Sequence, residues 1–447
     1  MQNMTEGAIR SHVLRMMLFM LFGMFVQTLY ALVDIWWVGH LGKQAIAAAS
    51  VASNLMFVVI AVSQTLGVGT VALVSQAYGR RDEAAVQRLF NQSQSLSVIA
   101  GLVFLALGYA SAATYAKRLA SDAETAALVC QFLAWFVPAM ALQFSMAGLG
   151  SALRGIGNMK PGLLAQTGSV LLNMILAPFL IFGWGTGHPL GVAGASLATF
   201  LATLAAVVAL MFYLRRDATY LRVDFAQWRP DWALWRRMLL IGLPSGVEFL
   251  LMSVIIGLIY AVIRPFGAEA QAGFGIGMRI MQAGFMPAVA LSFAAAAVAG
   301  QNYGARAHDR VRQTFVESAK LNIAFMMVFT LLCHLAPEAM MRLFSSDPVV
   351  VDIGGGYLRV ISWNYVASGL ILVAAGLFQG IGNTVPSLLA SSSRLLFFVL
   401  PVWWLSQQPQ FQLSQVWTLS VISVLLQMCF SLWLLRREFG LKLTVTA

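Results

Sequence analysis

Twelve predominantly apolar stretches of roughly 20 residues or more divide this chain, at 13–38, 46–72, 93–115, 126–148, 161–183, 190–214, 238–263, 271–300, 316–336, 353–379, 385–406 and 413–435. A helix of about 20 residues crosses a hydrocarbon core about 30 Å thick. Inside lipid every backbone polar group must be satisfied within the span itself. The expected fold class is therefore an all-α membrane protein with twelve transmembrane helices. Composition agrees, since 60% of the 447 residues are hydrophobic and only 10% charged, against about 25% charged in a soluble domain. A soluble enzyme, a disordered chain and a nucleic-acid binder are excluded on that ground, despite a net charge of +11.

The basic charge carries topology. Sorted by the side on which each loop falls, 20 of the 28 Lys and Arg share a side with the N-terminus, 6 lie opposite, and Arg279 and Arg394 fall inside apolar runs. Positive residues accumulate on the cytoplasmic side, so both termini are expected there, in a plasma membrane and, given the short tails, a bacterial inner one. The first apolar run is too long for a signal segment and is expected to remain as a helix. Cys130, Cys333 and Cys429 show neither metal-site spacing nor an implied pairing.

The chain is a duplication. Gln76-Ala77-Tyr78-Gly79 returns as Gln301-Asn302-Tyr303-Gly304, Gly155-Ile156-Gly157-Asn158 with Pro161 returns as Gly380-Ile381-Gly382-Asn383 with Pro386, and Gly42 returns as Gly267, all at one offset of 225. Six spans per repeat insert both halves in one orientation. This predicts two six-helix bundles related by a pseudo-twofold along the membrane normal, with a substrate site where the halves meet. The expected division is 1–214, a cytoplasmic linker at 215–237 with six Arg and three Asp, and 238–447.

No phosphate-binding loop, HExxH or G-x-S-x-G occurs, so neither ATP-driven pumping nor the familiar hydrolase chemistries are indicated, and no enzyme activity is expected. Ionisable residues well inside a span are costly and functional by default. Four qualify: Asp34, Glu248, Arg279 and Arg394. Asp34 has no basic neighbour in its own helix, and a carboxylate so placed in low dielectric can load and release a proton near neutral pH. Glu248 is either a second functional carboxylate or one member of a buried pair with an arginine such as Arg279. Gln27, Asn54, Gln64, Gln282, Asn364 and Arg394 are candidate polar groups of a cavity. Twenty-two Met and an aromatic content of 11% suit an adaptable binding surface.

The run Leu32-Val33-Asp34-Ile35-Trp36-Trp37-Val38-Gly39-His40-Leu41-Gly42 resembles the first-helix motif of the multidrug and toxic compound extrusion (MATE) transporters. The two Gly-Ile-Gly-Asn loops and Gly242-Leu243-Pro244-Ser245-Gly246-Val247-Glu248 resemble others of that family. The resemblance implies a secondary antiporter exporting organic, cationic drugs or toxins in exchange for H⁺ or Na⁺. It makes Asp34, Asn173 and Thr199 the proton or cation site of the first half, and Glu248 a candidate in the second. Many members carry an aspartate four residues after the helix 5 asparagine, where this chain has Ala177. The site is then a carboxylate short for Na⁺, which favours H⁺ as coupling ion with Na⁺ as the alternative. The resemblance implies no cofactor and no metal. The expected partners are organic cations and membrane lipid, with the protein a monomer. A flippase for lipid-linked precursors on the same scaffold is the alternative function.

Overall fold

The computed structural model describes residues 3–443 except 121, 186 and 217–219; the last three belong to the expected linker and lie outside the described residues. Among the described residues all regular structure is helical, and twelve helices are long and apolar enough to span a membrane. They are α1 (Ile9–Gly39), α2 (Lys43–Gly79), α3 (Glu83–Leu119), α4 (Ala123–Gly155), α5 (Lys160–Phe182), α6 (Gly191–Arg216), α7 (Trp232–Phe266), α8 (Ala268–Gly304), α9 (His308–Leu335), α10 (Asn364–Ile381), α11 (Val385–Leu405) and α12 (Leu413–Lys442).

The helices depart from the apolar runs in places with physical causes. The third begins ten residues before its apolar run, because Asn91, Gln92 and Ser95 are buried yet bonded to the backbone of the linker. The tenth run is two helices, Pro348–Ile361 and α10. At the break Thr330 donates to the Ser362 carbonyl at 3.1 Å, and Ser362 Oγ lies 3.1 Å from His334 Nδ1. A turn at Asn54 interrupts α2, and a π-helical turn, Leu395–Val399, follows Arg394 within α11. Such wide turns occur mostly inside α-helices at functional positions.

The duplication is visible in the backbone. Arg81 and Arg306, one offset apart, are the non-glycine residues with positive φ among those described, at 60° and 58°. Around both, the chain closes through the same pattern, Asp82 N to Ala77 O and Ala307 N to Asn302 O, each at 2.9–3.1 Å. Gly157 and Gly382 likewise adopt matching left-handed conformations, φ 71° and 78°.

Two compact units result. The first comprises Phe19–Gly246 with the extreme N-terminus. In it the start of α7 lies against α2 so closely that a Cβ on Gly242 or Gly246 would collide with Thr65, and one on Gly69 with the Met238 carbonyl. Small residues permit this approach where lipid offers no hydrophobic drive between helices. The second unit comprises Met4–Leu18 with Val247–Ala447. Within it Arg310 donates to the carbonyls of Met4 and Gly7, and Gln301 Oε1 accepts from Met4 N at 3.1 Å. Its core helix is α8, which packs Ser292 against Gly376 and Ala296 and Ala299 against Gly380 of α10.

Candidate functional site

In the first unit α1 carries Tyr30 and Asp34 one helical turn apart, hence on one face. Tyr30 Oη lies 3.0 Å from Thr199 Oγ1 of α6, and Asn173 of α5 donates to the same oxygen at 3.2 Å. Asp34 stands one turn from Tyr30 on that face. Its carboxylate makes no hydrogen bond or ion pair with a described residue. Asn173 is buried, and its Oδ1 has no partner among the described residues. Ala177, also buried, stands one turn further along α5. The arrangement is a single carboxylate beside neutral oxygens, with acceptor capacity unfilled. Asp34, Asn173 and Thr199 were expected from the sequence; Tyr30 was not, although its spacing of four from Asp34 in an apolar helix was the available signal.

Beyond Asp34, Trp37 packs edge-on to Phe182 and Trp184, with ring centres 6.0 Å away in both cases. Trp184 is largely exposed. Aromatic faces of this kind attract cations.

In the second unit Glu248 of α7 is held by α11. Ser387 donates to its carboxylate at 3.0 Å and Ser391 donates by a short bond, while Gln427 of α12 reaches Ser391 at 3.4 Å. Ser387, Ser391 and Arg394 follow at intervals of four and three, so they share a face of α11. Arg394 donates from Nη2 to Ser420 at 3.3 Å and stands 5.7 Å from the Phe398 ring centre, while its Nε has no partner among the described residues.

The structure does not bring Arg279 to Glu248. Among the described residues no ion pair joins Glu248 to either arginine, and Arg279 is exposed on α8. Helix periodicity explains this: α8 buries Gly277 and Met281, and a step of two residues turns the side chain by about 200°. Of the other polar candidates, Gln27 and Gln282 are exposed, Gln64 is half-buried, Asn54 marks the break in α2, and Asn364 is buried at the start of α10 with its Oδ1 unpartnered among the described residues.

Two repeated sets of six spans, each with a carboxylate set inside apolar helices, define a membrane transporter rather than an enzyme. The chain belongs to the MatE family, whose profile matches residues 20–179 and 244–405. Among its relatives, "Probable multidrug resistance protein YoeA" of Bacillus subtilis is 24% identical over 404 residues, covering 89% of this chain and 86% of that protein. "Probable multidrug resistance protein NorM" of Thermotoga maritima is 24% identical over 380 residues, covering 84% and 81%. A solved outward-facing MATE family transporter of the MOP superfamily superposes with a TM-score of 0.90 at 24% identity, covering 99% of this chain and 98% of that one. That agreement shows the MATE fold.

Proposed function

We propose that the protein is a secondary active antiporter that exports organic, cationic compounds in exchange for H⁺ by alternating access. Both termini would lie in the cytoplasm, and the natural setting would be a bacterial inner membrane. The observation that carries the reading is the state of Asp34: one carboxylate, without an internal partner, among the neutral oxygens of Tyr30, Asn173 and Thr199. One proton neutralises such a group completely. Protonation from the outward side would remove the charge that retains a cationic compound, and binding of the next compound from the cytoplasm would be coupled to release of the proton. The aromatic cluster around Trp37 supports a cationic cargo, as do relatives described as multidrug resistance proteins.

Exchange of one H⁺ for one monovalent cation moves no net charge, so a pH gradient alone drives it. Each pH unit supplies about 1.4 kcal/mol, a tenfold concentration ratio. The same oxygens could instead surround Na⁺, with Ala177 leaving that set one carboxylate poorer. Relatives named for multidrug export do not favour a lipid-linked precursor flippase.

The test is ethidium efflux from proteoliposomes under an imposed pH gradient and, separately, a Na⁺ gradient. Efflux driven by the pH gradient and lost in Asp34→Asn is expected. Drive by Na⁺ alone would replace the coupling ion and keep the antiporter; no efflux under either gradient would remove the cationic cargo.

A further inference from the structure

The segment 222–231 is docked along the first turns of α3 by side chains that grip its backbone. Gln92 Nε2 donates to the carbonyls of Gln227 and Arg229 at 2.6 and 2.8 Å, and Gln92 Oε1 accepts from Asp231 N at 3.0 Å. Asn91 donates to the Arg222 carbonyl and accepts from Asp224 N. Ser95 donates to the Trp228 carbonyl at 2.8 Å. The segment is thus fixed, and so is the open cleft it forms with α3. That cleft has a volume of about 700 Å³, with Gln87 and Arg88 on one wall and Gln227, Arg229 and Trp232 on the other.

The charges in the cleft are unequal. Arg88 is paired with Asp231 at 2.6 Å, and the backbone amide of Leu234, together with Arg88, holds that carboxyl below the usual carboxylate range. The pair contributes no net charge. The Arg229 guanidinium has no ion pair among the described residues, and the buried Gln227 Oε1 has no donor among them. The cleft therefore presents one uncommitted cation, Arg229, which is exposed.

Its rim is aromatic and exposed. Trp232, which lines the cleft, is 75% exposed. From Trp232 the exposed face of α7 continues through Leu239, Leu240 and Leu243, an apolar track that starts about 10 Å along the helix. Trp at the edge of an apolar face marks the level of lipid headgroups, and basic pockets at that level bind anionic headgroups.

We propose that this cleft seats the headgroup of an anionic phospholipid such as phosphatidylglycerol. Arg229 binds the phosphodiester, and Trp232 lies at the glycerol boundary with the acyl chains along α7. A soluble phosphate ester shares the first contact, but the exposed Trp232 and the apolar track fit only a lipid. The proposal needs the linker to lie at a membrane face and is independent of cargo and coupling ion.

Native mass spectrometry of the detergent-purified protein with added dioleoyl phosphatidylglycerol or dioleoyl phosphatidylcholine tests it. The expected result is about a tenfold preference for one bound phosphatidylglycerol, lost in Arg229→Glu, weakened in Trp232→Ala and unmoved by millimolar inorganic phosphate. Trp232→Ala keeps the test decisive if Arg229→Glu fails to fold. Equal binding of the two lipids, or an intact preference in both variants, overturns the proposal. Displacement by inorganic phosphate overturns it in favour of a soluble ligand.

Discussion

The two units descend from one repeat, yet their carboxylates do not stand at equivalent positions. At the offset of 225, Tyr30, Asp34 and Asn173 correspond to Ile255, Ile259 and Phe398, all buried and apolar. Conversely, Glu248 and Ser391 correspond to Gly23 and Gln166, and a Cβ on Gly23 would lie 3.6 Å from Gln166 Oε1. The same two positions are thus neighbours in both units, with a charge in one and none in the other. The duplicated scaffold thus carries its acid at a different position in each unit. The acids also differ in company: Glu248 has two serine donors from within its own unit, whereas Asp34 has no hydrogen bond or ion pair among the described residues.

This difference predicts unequal roles. Asp34→Asn is expected to lower pH-driven ethidium efflux in proteoliposomes at least about a hundredfold, the loss of some 2.7 kcal/mol of drive or binding. Glu248→Gln should stay within about tenfold of the parent. Equal loss in both would make the units equal partners and break the comparison.

The next effect separates stability from transport. Ser387→Ala with Ser391→Ala strips a half-buried carboxylate of its donors, which costs up to about 1–3 kcal/mol for each acceptor left unpaired. A lowered thermal midpoint in micelles should report it, and adding Glu248→Gln should recover part of the loss. Tyr30→Phe should do the reverse, slowing efflux about fivefold for the loss of about 1 kcal/mol while barely moving the midpoint.

The smallest effect concerns the segments that precede the first helix of each repeat. The linker is tied to α3 through Arg88 and Asp231, the N-terminal residues to α9 through Arg310 and backbone carbonyls. The Asp231 carboxyl is held below its ordinary value, so its contribution is present above an unfolded value of about 3.9 and fades as pH falls through the lower folded one. Limited proteolysis with pepsin should show linker cleavage rising below about pH 4, with no matching change at Met4–Gly7. Equal sensitivity at both sites would mean that Asp231 plays no part.

Much of this architecture was legible in the sequence because bilayer thickness and the cost of buried charge act through composition alone. The twelve spans, the repeat and the intramembrane carboxylate Asp34 follow from that, whereas Asn173 and Thr199 came only through the resemblance to the MATE family. What the sequence hid depended on rotation about helix axes and on distant partners. Arg279 sits at a plausible depth but on the wrong face of α8. Ser387 and Ser391 read as unremarkable small residues until α11 brings them to Glu248, 139 and 143 positions earlier. The polar run Asn91–Ser95 straddles the start of the third apolar run, and its role as the grip on the linker depends on partners 131 to 135 residues away.

The passage of α1 and α7 between units, at Leu18–Phe19 and Gly246–Val247, has a bearing on biogenesis. A ribosome that has released the first six spans has not released a complete unit, because the opening turns of the seventh belong to it. The second unit, in turn, incorporates Met4–Leu18, which precede the first unit's helices in the chain. Neither half of the sequence is a complete unit. The seam of the duplication in the sequence is therefore not the boundary between the two compact units.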